Sequence, residues 1–86
     1  MSRFYFTYRV TETYKNKNEL NKKGTVTNFP FASIDEAYAK FNHLLDYNKQ
    51  FTELYFDYEL CEIVWDWETD DVVDINLLER KVVTNL

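Results

Sequence analysis

Apolar and polar residues alternate at the start of the chain. In residues 3–13, RFYFTYRVTET, every second side chain from Phe4 to Val10 is large and apolar, and the residues between them are mostly polar. A period of two residues is typical of a strand with one buried face. The segment therefore predicts a first strand whose inner side is formed by Phe4, Phe6, Tyr8 and Val10.

A second strand is predicted after a polar loop. Residues 14–24 are rich in Asn and Lys and close on the only glycine of the chain, as expected for a long hairpin loop. The run TVTNFPF at 25–31 then resumes β-prone residues. Because proline cannot donate a hydrogen bond to a neighbouring strand, Pro30 predicts that this strand lies at an edge of the sheet.

Residues 33–48 carry a helix pattern. Ser33 and Glu36 form the S-x-x-E arrangement of a capping box. Apolar residues recur at steps of three and four and predict one buried stripe, formed by Ile34, Ala37, Tyr38, Phe41, Leu44 and Leu45. The opposite side is predicted to face water and carries Asp35, Lys40, Asn42 and Asp46.

The third predicted strand changes phase in its middle. Between Leu54 and Leu60 the apolar series is even-numbered, whereas from Cys61 to Trp67 it is odd-numbered. A shift by one residue within a continuous strand is what a β-bulge produces, so a bulge is predicted near Leu60–Glu62. The two tryptophans belong to the second series, and we expect at least one of them in the core.

The last segment completes an α+β domain. After the turn ETDD, residues 72–83 predict a fourth strand, and a helix capped by Asp71 is the alternative. The order β-β-α-β-β predicts one domain over residues 1–86, a small antiparallel four-stranded sheet with the helix across one face. One helix is too small to cover four long strands, so we expect part of the sheet to be exposed or used.

No catalytic motif is recognisable in the sequence. One glycine is too few for a phosphate-binding loop or a dinucleotide fingerprint. His43 and Cys61 are each the only residue of their type and are predicted to be a boundary histidine and a small core residue. The acids at 66–74 lack EF-hand spacing, and E-R-K at 79–81 is a weak nuclease pattern. We expect no metal, no cofactor and no enzymatic activity.

Negative charge is concentrated in one segment. Residues 1–49 carry a net charge of +3, residues 50–79 carry ten acids and no base, and the whole chain carries −5. With the predicted bulge, the acids of the third strand would lie on one side, roughly 6.6–6.8 Å apart at alternate residues, a pitch similar to that of nucleic-acid phosphates. The candidate partner-binding residues are Glu53, Asp57, Glu59, Glu62, Asp66, Glu68, Asp70 and Asp71, with Tyr55, Trp65 and Trp67 as aromatic anchors. The alternative is a solvated strand face that maintains solubility.

In size, acidity and aromatic-rich α+β make-up, the chain resembles small phage proteins that disarm bacterial defences, including anti-CRISPR and anti-restriction proteins. Abundant Asn, Lys, Tyr and Phe suit a low-GC bacterium or its phage. The resemblance implies an inhibitor in the bacterial cytoplasm that mimics nucleic acid and binds a basic, nucleic-acid-binding host protein, without touching nucleic acid or membrane itself. The alternative is a small cytosolic structural or regulatory module that dimerises through a sheet face or edge.

Overall fold

The computed structural model describes residues 3–83 and contains one antiparallel sheet and one α-helix. The strands are β1 (Phe4–Asn16), β2 (Thr25–Phe31), β3 (Leu54–Asp66) and β4 (Asp71–Val83), and the helix is α1 (Ile34–Tyr47). Short 3-10 turns lie at Lys17–Glu19 and Asn48–Gln50. The strand order is β2-β1-β3-β4. The predicted α+β fold is confirmed, and residues 72–83 form a strand rather than the alternative helix.

The two central strands determine the length of the sheet. β1 and β3 have 13 residues each and pair without a slip from Phe4 opposite Asp66 to Asn16 opposite Leu54. β2 pairs only with residues 8–14 of β1, so residues 4–7 of β1 extend beyond it. β2 lies at an edge, as Pro30 predicted.

The connection between β1 and β2 is tighter than the predicted loop. β1 continues to Asn16, whose side-chain oxygen accepts a hydrogen bond from the Asn18 amide at 2.9 Å and caps the following 3-10 turn. Gly24 then lies directly against β1, because a β-carbon at this position would be 2.8 Å from the Tyr14 carbonyl oxygen. The single glycine is therefore required by a close approach of two backbones.

α1 packs on the sheet through its predicted stripe, with one exception. The Ser33 hydroxyl accepts a hydrogen bond from the Glu36 amide at 3.4 Å, which confirms the predicted N-cap. Ala37, Phe41 and Leu44 are buried, and Tyr38 and Leu45 are partly buried against them. Ile34 is 39% exposed, contrary to the prediction. As the first helical residue it carries a side chain that leans toward the N-terminus and so extends past the end of the helix.

The core lies between α1 and one face of the sheet, which we call the front face. Val10, Phe41, Tyr58 and Leu60 are fully buried there. The core also contains a polar group, because the Tyr58 hydroxyl donates to Glu12 at 2.8 Å and accepts a hydrogen bond from the side-chain amide of Asn48. Burial, with the Glu12 carboxylate, raises the pKa of Tyr58 above its usual range.

The sheet is much longer than the helix that covers it. Fourteen helical residues extend about 21 Å, whereas 13 strand residues extend about 44 Å. The radius of gyration is 15.0 Å, against about 12 Å for a compact domain of this length. We call the part of the sheet beyond the helix the bare half; it comprises residues 4–7, 62–66 and 71–77.

The predicted bulge in β3 is wrong. β3 pairs with β1 in one uninterrupted register. Its two register shifts, between Leu60 and Cys61 and between Val64 and Trp65, occur against β4, where Leu78 and Val73 are the additional residues. The bulges therefore belong to β4. Because β3 alternates regularly, its apolar series changes face at Cys61, from the front face to the opposite face, which we call the back face.

Candidate interaction surface

The acidic residues of β3 lie on both faces of the sheet. Asp57 and Glu59 share the back face, whereas Glu62 and Asp66 pair with Tyr8 and Phe4 of β1 and share the front face. The prediction of a single row of acids is wrong, because that row required the bulge in β3. Glu53 precedes the strand and Glu68 follows it.

The acids of the back face have a basic neighbour. Arg80 of β4 donates to both carboxylate oxygens of Asp57, at 3.0 and 2.6 Å, and its position in the sheet is opposite Glu59. Hydrogen bonds and attraction from Asp57 raise the pKa of the Arg80 guanidinium. Arg80, the first basic residue after the acidic segment 50–79, thus partly balances the negative charge of that segment.

Asp66 holds the end of the sheet together. It is 5% exposed, and its carboxylate accepts hydrogen bonds from the Arg3 guanidinium at 2.7 Å and from the amides of Glu68 and Thr69 at 2.9 and 3.4 Å. Burial raises the pKa of Asp66, but these backbone hydrogen bonds and Arg3 outweigh it and lower the pKa below its usual value. Its contacts are those of a turn-forming residue.

The remaining predicted acids surround the turn between β3 and β4. Glu68 is exposed and lies 3.6 Å from Arg3. Asp70 has a φ of 60°, and its carboxylate accepts a hydrogen bond from the Tyr5 hydroxyl at 3.5 Å. Asp71 is exposed at the start of β4. These residues form an acidic end of the molecule, and among residues 3–83 no three His, Cys, Asp or Glu side chains are placed to hold a metal ion.

The predicted aromatic anchors occupy three environments. Tyr55 is half-buried, with the Lys15 ammonium 5.9 Å from its ring centre. Trp65 is half-buried on the back face, stacked on Tyr5 with ring centres 6.0 Å apart, and its indole N–H donates to the Thr7 hydroxyl at 2.7 Å. Trp67 is 51% exposed. The expectation that one tryptophan lies in the core is wrong, because the core is on the other face.

An apolar surface occupies the back face of the bare half. Strand pairing places Tyr5 beside Trp65 and Trp65 beside Val72. In the next rows Ile63 lies beside Ile75, and Leu77 lies beside Cys61. We call this surface the back patch; it comprises Tyr5, Ile63, Trp65, Val72, Ile75 and Leu77.

The back patch is exposed to a degree unusual for such residues. Leu77 is 54% exposed, Ile75 50% and Val72 44%. Ile63, in the central strand, is 8% exposed because its neighbours in the sheet shelter it. α1 packs on the front face, so no element within residues 3–83 covers this surface.

Sequence reasoning predicted that part of the sheet would be exposed, but it missed the residues of the back patch for an identifiable reason. The three exposed aliphatic residues of β4 are spaced at 72, 75 and 77, because the bulge at Val73 interrupts their alternation. The signal was the high β-branched content of residues 72–78, which predicted a strand but not which side of it would be covered.

Two side chains border the back patch. Cys61 is free and 7% exposed, which agrees with its prediction as a small buried residue. Arg9 lies in the sheet between Pro30 and Cys61. Its Nε is buried without a hydrogen-bond partner, and Arg9 takes part in none of the salt bridges within residues 3–83. His43, by contrast, is far from this surface, exposed on α1 and stacked on Tyr47.

Comparison of the chain with protein-family models, with curated proteins and with solved structures finds no match in any of the three. Within the described residues, no helix combines the length and the apolar content needed to cross a membrane. Function is therefore inferred from the surface of the chain itself.

Proposed function

We propose that this chain is a non-enzymatic interaction module whose working surface is the back patch. The observation that supports the proposal is a contiguous group of aliphatic and aromatic side chains, across three strands, that no element of the described chain covers. Apolar surface gains roughly 25 cal/mol for each Å² removed from water. Contiguous exposed apolar surface of this kind marks binding sites rather than ordinary protein exterior.

The acidic residues support a binding function less well than the back patch does. Its acids are divided between two faces, Asp57 is paired with Arg80, and Asp66 serves a turn. Inhibition of a nucleic-acid-binding host protein stays a prediction, and it would now rest on the acidic end near Glu68 and Asp71. Binding of that kind would weaken steeply with salt.

Site-specific photo-cross-linking in cells that express the chain tests the proposal. A photoreactive residue is placed at Ile75 in the back patch and, as a matched control, at Val26. Both are β-branched, lie on edge strands and are 50% and 55% exposed, and pairing with Thr13 places Val26 on the back face at its other end. Covalent protein adducts are expected at Ile75 and not at Val26.

A third position separates the two candidate surfaces. With the photoreactive residue at Asp71, no adduct is expected if the back patch is the working surface. Adducts confined to Asp71 would favour the acidic end. Equal adduct yields at Ile75 and Val26, or none at Ile75, would overturn the proposed function.

A further inference from the structure

The back face is the nearly neutral side of an acidic protein. Strand pairing assigns three basic and two acidic side chains to it, namely Arg9, Lys15, Asp57, Glu59 and Arg80. The front side and turn of the bare half instead carry six acids and Arg3, the acids being Glu62, Asp66, Glu68, Asp70, Asp71 and Asp74. Two copies, each with a net charge of −5, therefore approach one another with least repulsion back face to back face.

We propose that the occupant of the back patch is a second copy of this chain, packed face to face. This inference rests on the proposed function and names its partner. A two-fold axis that runs along β3, the middle strand of the back patch, superimposes patch on patch and makes the contact the same for both copies. β4 of one copy then lies over β1 of the other. Sheets packed in this way lie about 10 Å apart, with their side chains interdigitated.

The dimensions suit such a dimer. β1, β3 and β4 have 13 residues each and together present a face of roughly 14 × 44 Å, about 600 Å², which is of the order of the ~800 Å² that each partner buries in a standard interface. The elongated shape of the monomer has the same explanation, since the bare half gains a second layer only when another copy covers it.

Strand addition at an edge is the less favourable way to join two copies. β4 carries two bulges, at Val73 and Leu78, and β2 carries Pro30 within the strand. Bulges and prolines are devices that disfavour the pairing of one sheet edge with another. Edge pairing would also leave the side chains of Ile75 and Leu77 exposed on the sheet face.

Sedimentation equilibrium of the purified chain over a range of concentrations tests the inference. The wild type is expected to approach about twice 10.5 kDa. Ile75→Asp is expected to sediment as a monomer with an unchanged far-ultraviolet circular dichroism spectrum. Val26→Asp, equally exposed at the other end of the back face, and Phe6→Asp, 49% exposed on the front face, are expected to remain dimeric.

Three outcomes would overturn the inference. A wild type that is monomeric at all concentrations would show that the back patch does not bind a second copy. Adducts of Ile75 with a different protein in cells would then still support the proposed function. Monomers produced by Phe6→Asp but not by Ile75→Asp would assign the contact to the front face. Ile75→Asp that stays folded and dimeric would exclude the back patch.

Discussion

The two halves of this sheet share β1, β3 and β4 but have different surroundings. In the covered half, Phe56, Tyr58 and Leu60 of β3 are at most 3% exposed beneath α1. In the bare half, Phe6 and Ile75 are 49% and 50% exposed, although they are equally apolar. The comparison shows that strand pairing alone leaves most of these apolar side chains exposed, with Ile63 of the central strand an exception at 8%, and that burial of the others requires a second layer.

Polar contacts differ between the halves in the same way. In the covered half, Tyr58, Glu12 and Asn48 bond to one another inside the core. In the bare half, Asp66 and Arg3 meet at the end of the sheet, where Arg3 is half-exposed to water. The first network supports the monomer, and the second closes a turn.

The largest effect is expected from removing the helix contact of the covered half. Phe41→Ala should lower the free energy of unfolding by about 3–5 kcal/mol, because Phe41 is fully buried. Ile75→Ala in the bare half should lower it by less than about 1 kcal/mol. Urea unfolding at low protein concentration, where a dimer does not contribute, measures both, and similar losses would show that the two halves do not differ as described.

A smaller loss is expected from Tyr58→Phe, which removes the hydroxyl between Glu12 and Asn48. The expected cost is about 1–3 kcal/mol, and Tyr47→Phe, at an exposed position, serves as the control without effect. Because the pKa of Tyr58 is raised in the folded state, its contribution is complete below pH ~10 and is lost as the pH rises above that value. In a titration followed by tyrosinate absorbance, Tyr58 should ionise only on unfolding; ionisation together with the exposed tyrosines would contradict this.

The N-cap of α1 should contribute less to the free energy of unfolding than the Tyr58 hydroxyl does. Ser33→Ala should cost about 0.5–2 kcal/mol, since it removes the acceptor of the Glu36 amide. Asn42→Ala, on the exposed side of the same helix, should be nearly silent. Thermal melting compares the two, and equal shifts in Tm would argue against the cap.

The smallest effect at neutral pH is expected at Asp66, in the bare half. Asn retains a side-chain oxygen that can accept from the Glu68 amide, so Asp66→Asn loses mainly the contact with Arg3. The pKa of Asp66 is lowered, so its contribution is present above pH ~4 and is lost as the pH falls through the depressed value. The wild type should therefore lose more stability below pH ~4 than the variant does. Asp46→Asn, exposed on α1, is the control, and identical acid unfolding of wild type and Asp66→Asn would refute the assignment.

Local physical chemistry explains what could be predicted from the sequence alone. The alternation from Phe4 to Val10, the cap at Ser33 and the edge position of Pro30 depend on residues close together in the chain, and the structure confirms the strand, the cap and the edge. The predicted inner side of that strand is buried only in part, because α1 does not reach Phe4 and Phe6, which are 45% and 49% exposed. The predicted stripe of α1 is confirmed except at Ile34, where the end of the helix leaves the side chain uncovered.

Only the tertiary structure decided which face of the sheet is covered by another layer, and along which half. The alternation of a strand tells which residues share a side, but not whether another layer covers that side. The phase change at Cys61 consequently has two explanations, a bulge in β3 or a change of face along a regular strand, and only the register against β1 selects the second. Pairing also brought Arg80 to Asp57 and Arg3 to Asp66, over 23 and 63 positions of the chain. Contacts between residues so distant in sequence depend on how the strands are ordered, which no local pattern of residues specifies.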